Sequence, residues 1–222
     1  MNAEIYEAWY AAPRGQWIGS VEYGLLRSLL QLTPGSSLLD IGCGTGHFTR
    51  EFVRENNNGL VVGLDPNQEW LVYANTHSAN REHYVVGLGE SIPFSDRSFD
   101  FTLSVTALSF LNNQVQVLRE LVRVTRKRFV LGLLNRHSLL YLKKGRRGGT
   151  GAYQDAIWHT PSQIRELLAF LPVESIRLRT AIVLPQATML AKVLERFWPR
   201  SILLGGFLAV SGDIVGDRER SA

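Results

Sequence analysis

The apolar run Ser37-Leu-Leu-Asp-Ile41 feeds without a break into Gly42-Cys43-Gly44-Thr45-Gly46 and then into His47-Phe48. No other stretch constrains the fold as tightly. An apolar run this short, bounded by a turn signal, reads as a buried strand. The alternating glycines permit positive φ and let a ligand come close to the backbone. The helix that follows presents free N–H groups at its start.

The strand–helix rhythm continues downstream. A helix over 47–56 is stopped at Asn56-Asn-Asn-Gly59, and Leu60-Val-Val-Gly-Leu64 is a second strand ending at Asp65. Pro66 opens a helix through about Ala79. Residues 83–86, 99–105 and 128–134 read as further strands, with a helix at 114–124. Such alternation predicts an α/β fold, a mostly parallel sheet with helices on both faces. Upstream, Val21, Leu25, Leu29 and Leu32 share one helical face, and an aromatic-rich stretch before them is broken at Pro13-Arg-Gly15. After residue 150 the pattern changes to a helix over 160–170, a strand over 173–184, a helix over 186–197 and a final strand over 204–214.

One domain over 1–222 suits this length. Residues 1–36 form N-terminal helices or a lid, 37–136 the core, and 137–222 a substrate-side insert with a C-terminal strand pair. Apolar residues make up 45% and charged residues 20%, which argues against disorder. The single Cys43 excludes an internal disulfide and a Cys-rich metal site, so no metal is expected, and it fits a reducing cytoplasm. The start of the chain carries no apolar signal region, and 202–210 is too short an apolar run to span a membrane. The net charge of +4 collects in 123–128 and 143–147. These read as a solvated helix end and a loop, so nucleic acid is not an expected partner.

Asp65 stands 19 residues after Gly46, at the end of the second strand. A carboxylate there can accept both hydroxyls of a ribose, although an Asp before Pro also caps helices. The two features together imply an adenosine-containing cofactor across the ends of strands one and two. Dinucleotide sites use G-x-G-x-x-G, with a pyrophosphate at the helix start. Here the spacing is G-x-G-x-G, with Asp40 just upstream. That carboxylate repels a pyrophosphate but suits the sulfonium and ammonium of S-adenosylmethionine, so an NAD-dependent oxidoreductase is disfavoured.

Four segments, LLDIGCGTG (38–46), VVGLDPNQEWL (61–71), GESIPFSDRSFDFTLSVTAL (89–108) and RVTRKRFVLGLLNR (123–136), resemble the class I S-adenosylmethionine-dependent methyltransferases. The branch they resemble is the one grouped with the ubiquinone-biosynthesis C-methyltransferases. The resemblance implies a Rossmann-like seven-stranded sheet whose last strand inserts antiparallel beside strand five. It also implies S-adenosylmethionine as cofactor and S-adenosylhomocysteine as product. Gly42, Gly44 and Gly46 would surround the methionine part, with Cys43 a small filler between them and Asp40 near the amino group. Asp65 would hold the ribose, with Pro66 and Trp70 against the adenine. Leu88, Gly89 and Glu90 would lie along the adenine edge, and Thr106 near the methyl group. Relatives usually read Gly-Asp-Ala-Glu where this chain has Gly87-Leu88-Gly89-Glu90, which removes an acceptor for the adenine amine.

Methyl transfer demands little of side chains, because the sulfonium is already activated. His137, past strand five, is the candidate general base, against the plainer reading of a loop histidine. His159 either caps the following helix or lines the pocket. Tyr6, Tyr10 and Trp17, with Trp9, form either a lid over the cleft or an anchor for the terminus. The expected function is in-line methyl transfer to a small-molecule acceptor. RNA or protein methylation, suggested by 143–147, and cofactor binding without turnover, suggested by Leu88, are the alternatives. The acceptor atom and oligomeric state leave no mark in the sequence.

Overall fold

The computed structural model describes residues 2–56, 58–78 and 81–216. Two helices, α1 (Ala3–Ala11) and α2 (Pro13–Leu30), lead into β1 (Leu38–Ile41), α3 (His47–Glu55), β2 (Val61–Asp65), α4 (Gln68–Thr76) and β3 (Glu82–Val86). Then follow β4 (Phe99–Val105), α5 (Gln114–Val124), β5 (Thr125–Leu134), α6 (Pro161–Leu168), β6 (Val173–Ala181), α7 (Met189–Phe197) and β7 (Phe207–Ile214). The strands form one sheet in the order β3-β2-β1-β4-β5-β7-β6. The first five run parallel, and β7 lies antiparallel between β5 and β6. The expected Rossmann-like architecture, with its antiparallel last strand beside strand five, is therefore the observed one.

Burial explains the sheet's apolar strands. Every residue of β1 and β2 is buried. On one face Leu39, Ile41, Leu64 and Leu131 pack with Leu118 and Leu121 of α5 and Ile164 of α6. On the other, Leu38, Val61, Leu103 and Val130 pack with Leu26 and Leu30 of α2 and Phe52 of α3. The chain leaves β1 for β2 on one side and reaches β4 on the other. The strand order thus reverses between β1 and β4, the place where open α/β sheets bind ligands.

Several boundaries differ from the sequence reading. The break at Pro13 is the junction of two helices: α1 ends at Ala11, and Pro13 opens α2 at its first turn, where its missing N–H is harmless. The helix after Asp65 starts at Gln68, capped by Asn67, and ends at Thr76; Ala79 lies outside the described residues. β5 begins at Thr125 rather than at 128, so Arg126 and Lys127 belong to the strand and not to a helix end. Lys127 pairs with Asp100 at 3.1 Å and Arg128 with Asp213 at 2.6 Å. Gly205 and Gly206 precede β7, which begins only at Phe207, and α7 begins at Met189. The 143–147 segment forms tight turns with its Lys and Arg side chains exposed.

Candidate functional site

The glycine loop follows β1 at the reversal of strand order. Gly42 and Cys43 both donate to the carbonyl of Leu64, at 2.7 and 3.0 Å, which pins the loop to the end of β2. Gly42 has φ +73°, and a Cβ there would stand 2.3 Å from the Cβ of Ala107. Gly44 has φ +57°, and its absent Cβ leaves room for the Trp70 ring, which would be only 3.1 Å away. Both positions therefore need glycine on conformation and on space. Gly46 stands at the start of α3, also at positive φ.

Two carboxyls flank this loop. Asp40 is 2% exposed and accepts a 2.7 Å hydrogen bond from Thr49 Oγ1 of α3. Burial pushes its carboxyl up to about 7; the Thr49 bond lowers it, and the nearby Asp65 charge raises it further. Asp65 is 8% exposed. One of its oxygens accepts from Gly44 N at 2.8 Å, the other from Asn67 N at 2.8 Å. Each carboxylate oxygen keeps acceptor capacity beyond one backbone bond. Neither Asp40 nor Asp65 is ion-paired among the described residues. Buried acids without a cation, beside a glycine cradle, fit a ligand carrying ammonium and sulfonium charge and a ribose.

The N-terminal helix closes over this cradle. Tyr6 packs on Trp70 with ring centroids 5.1 Å apart, and Trp70 in turn covers Gly44. Tyr10 stacks on His47 of α3 at 3.6 Å. Glu7 accepts from Thr45 of the loop at 2.5 Å and from Arg50 at 3.0 Å. Tyr6 thus packs over the Trp70 ring beside the loop, whereas buried Tyr10 packs the helix onto α3. Trp17 sits apart from the loop, partly buried on α2.

The remaining sequence candidates scatter around the cradle. Pro66 is exposed at the entry to α4. Leu88 is 55% exposed, with its carbonyl accepting from Ser91 N. Gly89 backs onto Val117 and Ile41, and the carbonyl of Glu90 accepts from Gln116 at 3.2 Å. Thr106 ends β4 with φ +59°, a strained setting for a β-branched residue, held by a 2.7 Å bond from its N–H to Gly132 O. Cys43 lies against Gly63, and burial raises its thiol well above the usual range, so no thiolate nucleophile forms there.

The two histidines separate. His137 is exposed on the turn after β5, where its N–H donates to Asn135 Oδ1 at 3.0 Å. Its ring has no hydrogen-bond partner among the described residues. His159 is 2% exposed and does not cap α6. That role belongs to Thr160, in a capping box with Gln163. His159 instead extends β5 by one rung through Asn135, and its Nε2 meets Gln114 at 3.0 Å. Burial holds its ring near 4, hence neutral. Glu7, which ties the N-terminal helix to the glycine loop, and Thr49, which donates to Asp40, escaped the sequence reading. Thr49 is one turn into α3, on the face turned to β1, and that spacing could have revealed it.

Comparison with known proteins agrees with this geometry. A family profile described as a methyltransferase domain matches residues 39–131. An uncharacterized protein of Mycobacterium tuberculosis is 32% identical over 173 residues, 76% of this chain and 57% of the relative. The chain thus spans little more than half the length of that relative. A malonyl-[acyl-carrier protein] O-methyltransferase of Pectobacterium atrosepticum is 37% identical over 102 residues, 46% of this chain and 39% of that protein. Among solved structures, an S-adenosylmethionine-dependent methyltransferase of Thermotoga maritima superposes with a TM-score of 0.75 at 21% identity, over 95% of this chain and 94% of that one. With its glycine loop, paired acids and reversed strand order, this chain matches a methyltransferase domain over residues 39–131 and shares the fold of that S-adenosylmethionine-dependent methyltransferase.

Proposed function

We propose that this protein transfers a methyl group from S-adenosylmethionine to a small-molecule acceptor. The observation that carries the reading is the pair of buried carboxyls, Asp40 and Asp65, facing one glycine loop without a cation of their own. When bound, the cofactor supplies a sulfonium-activated methyl group, and in-line displacement leaves S-adenosylhomocysteine. The chain's own residues then bind and exclude water. Asp40 holds the ammonium, Asp65 the ribose, Trp70 the adenine face, and Tyr6 covers the opening. Leu88, Gly89 and Glu90 border the adenine edge, while Pro66 and Cys43 shape the walls. The backbone turn at Thr106 fixes the floor beside the methyl group. His137 is the general-base candidate at the acceptor side.

The letters of residues 89–108 support a place in the ubiquinone-biosynthesis-like branch. No described helix is long and apolar enough to cross a membrane, and we assign the protein to the cytoplasm on its lone cysteine. To test the function, the protein is incubated with methyl-labelled cofactor and separated small-molecule, RNA and protein fractions of a cell extract. Label is expected in the small-molecule fraction. Label in RNA or protein instead would replace the acceptor class. Cofactor binding with no transfer to any fraction would point to a protein without turnover.

A further inference from the structure

Glu22 stands in the wrong company for a carboxylate. It lies on the inward stripe of α2, between Ile18 and Leu25 at helical spacing, where the residues before and after it on that face are buried. It is only partly exposed, and it makes no hydrogen bond or ion pair among the described residues. An apolar residue would serve packing better at this position, because an unpaired carboxyl on a packed face costs free energy and returns nothing to the fold.

Its neighbours place it on the acceptor side of the cofactor. Leu30 marks the end of α2 that precedes β1, so Glu22, eight residues earlier, is about 12 Å nearer the carboxyl ends of the strands. The charge of Glu22 is felt by Tyr6 and Tyr10 of the lid helix and by Tyr153 of the insert after β5. Tyr6 and Tyr10 pack in one cluster with Ile18 and Leu25, the residues that flank Glu22 on α2, and the Tyr10 ring lies against Gly19 one turn before it. Tyr153 packs on Trp158 at 5.6 Å, which extends the aromatic wall. Arg14, which acts on Tyr153 from the start of α2, forms no ion pair with Glu22.

We propose that Glu22 is the acceptor-binding carboxylate and that the acceptor is an amine. The inference rests on the methyltransferase reading above and specifies its substrate class. A single carboxylate among tyrosine and tryptophan rings recognises an ammonium by charge and by ring faces. An anionic acceptor meets repulsion at the same place. The amine arrives as R–NH3+ and must lose a proton before its nitrogen can react. The Glu22 carboxylate takes that proton and becomes the acid. The freed lone pair then forms the bond to the methyl carbon as the carbon–sulfur bond breaks, and the electron pair of that bond stays on the sulfur of S-adenosylhomocysteine. Burial pushes Glu22 up to about 8 in the empty site, and an ammonium beside it favours the charged form, so carboxylate and amine can exchange the proton in either direction.

The test is equilibrium binding to protein saturated with S-adenosylhomocysteine, by calorimetry, using benzylamine and tyramine, their alcohol counterparts, and benzoate. Wild type is compared with Glu22→Gln, and with Glu22→Met should the first variant not fold. Both amines are expected to bind wild type and to lose about tenfold or more in affinity in the variant. The alcohols should bind both proteins alike, an outcome that a merely structural role for Glu22 would not produce. Benzoate should bind wild type more weakly than the amines. Equal amine affinity in both proteins, benzoate binding wild type more tightly than the amines, or no amine binding by S-adenosylhomocysteine-loaded protein would each overturn the proposal. Failure of S-adenosylhomocysteine itself to bind would instead overturn the methyltransferase reading.

Discussion

The hydroxyl of Thr45, inside the glycine loop, donates to the carboxylate of Glu7 on the N-terminal helix at 2.5 Å. Arg50 reaches the same oxygen at 3.0 Å, and the His47 ring lies 3.9 Å from the other. Burial alone would raise the Glu7 carboxyl, but these partners outweigh it and hold it below the usual carboxylate range. Because the folded value is depressed, Glu7 contributes stability above the unfolded carboxylate value, and that contribution is lost as pH falls through the folded one. The glycine loop and the helix that packs over it are thus one bonded unit.

Glu7→Ala is expected to lower stability by about 1–3 kcal/mol and to loosen residues 3–11. Hydrogen exchange should show faster exchange in α1 and little change in the central strands, and cofactor dissociation should accelerate. Unchanged protection of α1 would mean that its aromatic packing alone holds it.

Asp40 gives the opposite sign. Its folded value is raised to about 7, so its stabilising contribution is complete below the unfolded value near 4 and is lost as pH rises through 7. Asp40→Asn keeps an acceptor for Thr49 and removes the buried charge. In the absence of cofactor the variant should match wild type at pH 4 and exceed it at pH 8 by roughly 2–4 kcal/mol, while its affinity for S-adenosylhomocysteine falls. Thermal melts at the two pH values, with and without ligand, check both halves. Equal stability at pH 8 would show that Asp40 is not strained by its burial.

The parts of this architecture that were legible in the sequence are those written in local chemistry. Strand, glycine loop and helix follow from one run of eleven residues, and the spacing to Asp65 identified the second acid. The C-terminal third was legible in outline. The ends of β6 and β7 were overextended because apolar residues such as Val183 and Leu204 continue past the last paired rung. Contacts between distant segments left no local trace. Glu7 reaching Thr45 across 38 residues and His159 adding a rung beside Asn135 depend on how the helices and insert fold back. The apolar spacing of α2 was read from residue 21, so the interruption of its stripe by Glu22 stayed hidden until Pro13 proved to be its first turn.

Leu88 tests how the adenine is read. It is more than half exposed, so an Asp there incurs no burial cost in the free protein. Leu88→Asp is expected to tighten S-adenosylhomocysteine binding by about 1 kcal/mol through a restored acceptor for the adenine amine. Glu90→Gln should leave affinity unchanged if Glu90 makes no such bond. Tightening in the first and none in the second supports this account of the segment. Wild-type affinity in both would mean that packing and backbone read the base.

The central claim is the cofactor, and calorimetric titration tests it most directly. Wild-type protein is titrated with S-adenosylmethionine, S-adenosylhomocysteine and NAD, alongside Asp65→Ala. The account predicts saturable binding of both adenosyl ligands and none of NAD, with affinity lowered by about 1.5–3 kcal/mol in the folded variant. Binding of NAD without binding of either adenosyl ligand, or full adenosyl affinity in Asp65→Ala, would contradict it.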